Sequence, residues 1–228
     1  MAADFTNRRQ PVIINNMDRR DITGERLCIC RKATWCLWIV LLAGIVPQAQ
    51  AEPAPRKGAL LVASADLVDP NFYRTVILLT SYGEDGAMGL VLNRPTAILP
   101  RRILPGVKSL SGYNGPMYFG GPVMLDHILF LWRGEESETD GELVFGRVWL
   151  SASPAVLDSL AEKQTDAGSL RIYAGYAGWA PGQLEFELLQ GGWHVVGASE
   201  SMVFADDPGS VWQRLLPMTE PLTASLSP

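Results

Sequence analysis

Beyond Cys36 the sequence has no cysteine, and its only histidines are His127 and His194. Residues 52–228 therefore hold no disulfide, thiolate metal site or cysteine nucleophile, and a multi-histidine metal centre is set aside on the same ground. Positive charge is scarce too. Residues 1–51 take 7 of the 19 basic and 4 of the 24 acidic residues, which leaves 12 basic against 20 acidic and a net charge of −8. Nucleic-acid binders need clustered Lys and Arg to displace phosphate counterions. Past residue 51 the close basic pairs are Arg56-Lys57 and Arg101-Arg102, each read as a solvated loop pair. Direct nucleic-acid binding is disfavoured.

Catalytic signatures are missing as well. No serine sits in a Gly-x-Ser-x-Gly elbow. Gly120-Gly121 has neither the spacing nor the following helix of a phosphate loop and reads as close backbone packing or a bulge. His127 beside Asp126, and His194 beside Trp193, read as structural histidines. The acidic run Gly134 to Glu142 lacks the spaced ligands of a calcium loop and reads as a solvated connector.

A long apolar run is also lacking. The stretch Trp35 to Val46 falls short of the roughly 20 residues a spanning helix needs. Arg19, Arg20, Arg26, Arg31 and Lys32 precede it, and Pro47 and Ala49-Gln50-Ala51 follow. That is the layout of a secretory signal, so the reading is an exported, periplasmic protein whose mature chain starts at Glu52. The alternatives are an uncleaved anchor, touching the membrane only through residues 35–46, and a cytoplasmic chain with an upstream extension. Met17 offers a second start.

What is present supports one core. Of the 228 residues, 47% are hydrophobic and 19% charged, enough for a single sizeable domain. The chain divides into a signal-like extension (1–51), a linker (52–57), the domain (58–216) and a tail (217–228). Short apolar runs bounded by turn residues predict buried strands at Gly58–Ser64, Thr75–Thr80, Met88–Asn93, Met117–Val123, His127–Trp132, Leu143–Leu150, Leu170–Tyr176 and Trp193–Gly197. Turns are expected at Asp69–Asn71, at Met124–Asp126 and from Gly178 to Gly182. The segment Pro95–Tyr113 reads as loop with a short helix. Helices are predicted after Ser153-Pro154, with Ser as N-cap and an end at Asp166–Gly168, over Gln183–Leu189, and from Pro208, including Val211, Trp212 and Leu215. The fold class is α+β: a strand-rich mixed or antiparallel sheet core with about three helices packed on it.

Candidate side chains gather around Asp69–Pro95. Asp69 and Asn71 are suited to bonding turn amides. Arg74 offers a planar bidentate donor to a carboxylate or phosphate, or a partner for a nearby carboxylate. Asn93 and Arg94 end a strand, where an arginine can meet an anion. Downstream, Gly178, Trp179 and Gln183 flank a helix start whose free amides can hold an anion. Glu185 and Glu187 are two apart and point to different sides of a helix, a poor acid–base pair.

DPNFYRTVILL, GAMGLVLNRP, FGGPV (Phe119–Val123) and GYAGWAPGQLEFEL (Gly175–Leu188) occur in the order and rough spacing of the AlgH/YqgE family, which the chain resembles from about Gly58 to Leu216. The resemblance implies a compact bacterial α+β domain of a kind often called a transcriptional regulator, with no established enzymatic activity. Two positions depart from the pattern: Tyr82 and Trp132 stand where histidine is common. The expected function is a non-enzymatic binding or regulatory module, without catalytic residues, metal or cofactor. Its loops Pro95–Tyr113 and Gly175–Gly182 would engage a protein or a small anionic ligand. The alternative is an enzyme acting on a small anionic substrate around Asp69, Arg74 and Asn93.

Overall fold

The computed structural model describes residues 53–107, 110, 112–135, 140–162 and 168–219. The signal-like segment, Glu52 of the linker, the middle of the acidic run, the helix end at Asp166 and the tail past residue 219 lie outside the described residues.

One mostly antiparallel sheet organises the domain. Its strands are β1 (Ala59–Ala63), β2 (Val76–Gly83), β3 (Gly86–Val91), β4 (Met117–Phe119), β5 (Val123–Arg133), β6 (Glu142–Phe145), β7 (Val148–Ser151), β8 (Leu170–Trp179) and β9 (Trp193–Gly197). They run in the order β6-β7-β5-β8-β3-β2-β1-β9, and β4 pairs with β8 in parallel. The sheet curls until its ends approach. Arg147, in the β6–β7 turn, bonds Glu200 just after β9, and Lys57 ahead of β1 pairs with Glu142 at the start of β6. These exposed pairs contribute little stability on their own.

The central strands are buried on both faces, which explains their unbroken apolar sequences. All five residues of β1 and the first five of β2 are buried. In β5, Leu129 and Leu131 enter the main core while Phe130 and Trp132 face a second cluster under α2 (Pro154–Glu162), with Val156, Leu157, Leu160, Leu170 and Ile172. Strand alternation thus delivers apolar residues to both sides.

The observed elements correct several expectations. The three helices expected after Ser153-Pro154, over Gln183–Leu189 and from Pro208 are α2, α3 (Gln183–Leu189) and α5 (Val211–Leu215), and the short helix expected within Pro95–Tyr113 is the one-turn α1 (Pro100–Ile103); the one-turn α4 (Glu200–Val203) has no counterpart among the expected elements. The strand expected over Leu143–Leu150 is a hairpin, β6–β7, because Gly146 at φ 51° opens a two-residue turn. The turn expected after Tyr176 comes later, since β8 continues to Trp179. The strand expected over Met117–Val123 breaks at Gly120-Gly121, and the turn at Met124–Asp126 is a bulge inside β5. Val123 pairs with Tyr176 and Ile128 with Ala174, so five steps on β5 face two on β8. Met124 sits in the bulge at φ 47°.

Gly120-Gly121 is a close backbone crossing. A Cβ on Gly120 would lie 2.1 Å from the Gly175 oxygen, and one on Gly121 2.2 Å from the Ala177 nitrogen. Only hydrogen fits there.

Candidate functional site

The five candidates of the Asp69–Pro95 stretch form a brace that ties a loop to the sheet. The Asp69 carboxylate accepts from the Asn71 amide at 2.7 Å, closing an Asx turn. Beyond β3, Asn93 extends the ladder with its side chain: Oδ1 accepts from Val76 N at 2.9 Å, and Nδ2 donates to the Arg74 carbonyl at 2.8 Å. Arg94 donates to the Tyr73 carbonyl at 3.0 Å and reaches Pro70 O at 3.5 Å. Partial burial pulls the Arg94 guanidinium below its ordinary range, while Asp69 acts in the opposite sense. Among the described residues Arg74 makes no ion pair, contrary to the carboxylate partner considered for it. It adopts φ 52° and lies over the Tyr73 and Trp212 rings at 4.8 and 5.2 Å. Asp69, Arg74 and Asn93 therefore do not join into one hydrogen-bonded set of side chains.

The second group converges on Glu187. Its Oε2 accepts from the indole nitrogens of Trp179 at 2.9 Å and Trp193 at 2.8 Å, and its Oε1 accepts from Gln183 at 2.9 Å. Gln183 Oε1 in turn accepts from the Ala180 amide at 3.1 Å, and the Gln183 backbone amide donates to the Ala180 carbonyl at 3.0 Å, so the helix start expected to hold an anion has one amide already occupied. Phe72 packs on both indoles, with centroids 6.2 and 5.6 Å away, which links this hub to the braced loop. Gly178 faces Met88 across the β3–β8 pair, where a Cβ would lie 3.3 Å from the Tyr176 ring. Glu185 points elsewhere. Its hydrogen bond, reinforced by burial and by its charge, raises the Tyr82 phenol above its ordinary range. Trp132, the other departure from the histidine pattern, is buried under α2.

Arg171 carried no signal in the sequence. It is only 4% exposed, donates to Leu92 O at 3.3 Å and Ala205 O at 2.6 Å, and lies 4.8 Å from the Tyr118 ring centroid. Its Nε and the Tyr173 hydroxyl are buried without a well-aligned partner. His194 is half-buried on β9 and His127 is exposed on the bulge.

Among the described residues, a groove of about 390 Å³ lies beside the β5 bulge, lined by Leu104, Val107, Asp126, His127, Ile128, Phe130, Ala152 and Pro154. The Pro95–Tyr113 loop contributes Leu104 and Val107. Arg101 and Arg102 occupy the last turn of α1 just ahead of it, exposed and without an ion pair among the described residues. Tyr176 O–H meets Met124 Sδ at 3.5 Å from the β8 side of the bulge. Among the described residues no group of three or more His, Cys, Asp or Glu side chains is placed to hold a metal ion, and no helix is long and apolar enough to cross a membrane.

A curled, strand-rich sheet with short helices, a braced loop and a carboxylate–indole hub defines an α+β domain of the AlgH type. The AlgH-like family model matches residues 60–221, and the chain belongs to that family. A UPF0301 protein of Streptomyces avermitilis is 43% identical over 162 residues, covering 70% of this chain and 84% of that protein. A UPF0301 protein of Chlorobaculum tepidum is 34% identical over 161 residues, with the same coverage. The solution structure of the AlgH protein from Pseudomonas aeruginosa superposes with a TM-score of 0.60 at 31% identity, over 75% of this chain and 91% of that one. The crystal structure of DIP2367 from Corynebacterium diphtheriae, TM-score 0.62 and 23% identity over the same shares, has the same fold.

Proposed function

We propose that this protein is a non-enzymatic binding module whose ligand seat is the groove beside the β5 bulge. The observation that carries the reading is the groove itself: an apolar floor of Leu104, Val107, Ile128 and Phe130, with Asp126 and His127 also lining it and Arg101-Arg102 in the helical turn that leads into Leu104. Concave, mostly apolar sites with a few polar groups are the usual form of small-molecule seats. Bulges re-aim side chains next to such sites. The ligand class that fits is a small anion with an apolar body, its charge met by Arg101 and Arg102 and its body by the floor. The polar residues of the brace and hub already bond within the protein, which supports a scaffold role for them.

A thermal-shift series and amide NMR titration with hexanoate and hexyl phosphate test the seat. Shifts centred on Leu104, Val107, His127 and Ile128, weakened by Arg101→Ala/Arg102→Ala, are expected. Titrations that leave those amides unmoved would overturn it. The net charge of −8 in residues 52–228 opposes direct contact with DNA. We also propose export, with the mature chain starting at Glu52. Mass analysis of the protein recovered from fractionated cells checks this, and a chain still starting at Met1 or Met17 sinks it.

A further inference from the structure

The outward face of α3 carries a second surface, independent of the groove. Leu184 is buried and Leu188 packs on the core, but Phe186 is 63% and Leu189 84% exposed, three residues apart on one helix side. Large apolar side chains exposed together mark interaction surfaces more often than single ones do. At the C-terminal end of the helix, Leu67 packs 3.8 Å from the position of a Gly192 Cβ, and its neighbour Val68 is 89% exposed.

The charged side chains that α3 and the β2–β3 turn bring to this face are acidic. Glu185 belongs to α3, and its partner Tyr82 sits at the end of β2. The β2–β3 turn adjoins the helix start, since a Cβ on Gly86 would meet the Trp179 oxygen at 2.2 Å and Pro181 N at 3.3 Å. That turn presents Glu84 and Asp85, both exposed, with no ion pair among the described residues. Neither Thr75–Asn93 nor Ile172–Gln213, which hold β2, β3, their turn and α3, contains a single Lys or Arg, and the loop carrying Leu67 and Val68 adds Asp66 and Asp69, while Arg74 at its end lies over the Tyr73 and Trp212 rings.

We propose that this α3 face docks a basic, amphipathic segment of a partner protein. Its apolar side chains cover Phe186 and Leu189, and its Lys or Arg residues meet Glu84, Asp85 and Glu185. Such helix-to-surface recognition joins apolar anchors to a complementary rim. A second copy of this chain fits less well, because a two-fold contact sets each patch against itself and brings like carboxylates together. Anionic lipid is repelled for the same reason.

The probe is a pair of fluorescent synthetic helical peptides that share one leucine face and carry either Lys or Glu on the other, titrated by anisotropy against the full chain. The Lys peptide should bind at least about tenfold more tightly than the Glu peptide. Phe186→Ser/Leu189→Ser should weaken it by about tenfold or more, and Glu84→Lys/Asp85→Lys should weaken it and flatten its salt dependence. All four positions are exposed, and thermal melts matching the parent confirm that the variants fold. Equal binding of both peptides, or Lys-peptide binding indifferent to the Ser variants, overturns the proposal. So does light scattering that finds a dimer which the Ser variants dissociate. None of these substitutions touches the groove, so failure here leaves the groove reading standing, and the reverse also holds.

Discussion

Asn93 holds Arg74 by its backbone rather than by its charge. One end of the Asn93 amide donates to the Arg74 carbonyl at 2.8 Å, and the other accepts from Val76 N at 2.9 Å. A single side chain thus spans the point where the Asp69–Thr75 loop becomes β2, and it keeps Arg74 in its left-handed conformation at φ 52°. Outside glycine that conformation persists only where the surroundings over-determine it.

Removing the brace should cost stability without unfolding the sheet. Asn93→Ala leaves Val76 N and Arg74 O without these partners, which predicts a loss of about 1–3 kcal/mol in urea denaturation. Asn93→Asp keeps an acceptor for Val76 N but turns a carboxylate oxygen toward the Arg74 carbonyl, so it should not restore the parent value. A variant as stable as the parent would show that the loop is held by other contacts, and Arg94 would then be the first candidate.

The buried guanidinium of Arg171 should be harder to replace than its position suggests. Its two terminal nitrogens reach carbonyls 79 and 34 residues away in sequence, and its Cζ lies 4.8 and 5.9 Å from the Tyr118 and Phe204 ring centroids. Lysine is a point charge without the planar fork. Arg171→Lys is therefore expected to lose most of what Arg171→Met loses, about 2–4 kcal/mol, because an ammonium cannot reproduce the fork that spans both buried carbonyls. Near-complete rescue by lysine in chemical denaturation would show that charge alone is the requirement.

The central strand pair was legible because both of its faces are buried, so composition alone announces it. The hairpin β6–β7 was not. Between Leu143 and Leu150 the only break is Gly146-Arg147, and apolar residues continue on both sides of it. The bulge at Met124–Asp126 shows locally as a pause, yet whether a strand resumes in a shifted register depends on its partner β8. A one-turn helix such as α4 is too short to display periodicity, and α1 showed only as a short helix somewhere within Pro95–Tyr113. At the candidate sites, the spacing of Glu185 and Glu187 correctly implied different directions. Their destinations, Tyr82 for one and the indoles of Trp179 and Trp193 for the other, are set by tertiary packing. Arg171 was invisible for that reason, since an arginine in an apolar strand gives no hint of the carbonyls it will meet.

Alkaline pH should expose the tyrosine cluster around Arg171. Burial raises the Tyr113, Tyr118 and Tyr173 phenols above the ordinary value of 10.0, with Arg171 opposing the shift in each case. A raised phenol keeps its proton in the folded state after the unfolded chain has released it. Unfolding therefore sheds protons above about pH 10, and stability falls as pH rises. Below the unfolded value the contribution is fully present; it is lost progressively as pH climbs toward the folded values. Each such group steepens the decline by up to about 1.4 kcal/mol per pH unit. Tyr173→Phe removes one of these protons together with a hydroxyl that lacks a well-aligned partner. It should match or exceed the parent at neutral pH and decline less steeply between about pH 9 and 11. Urea denaturation across that range checks both halves. Parallel declines for parent and variant would mean that Tyr173 releases its proton in the folded state as readily as in the unfolded chain.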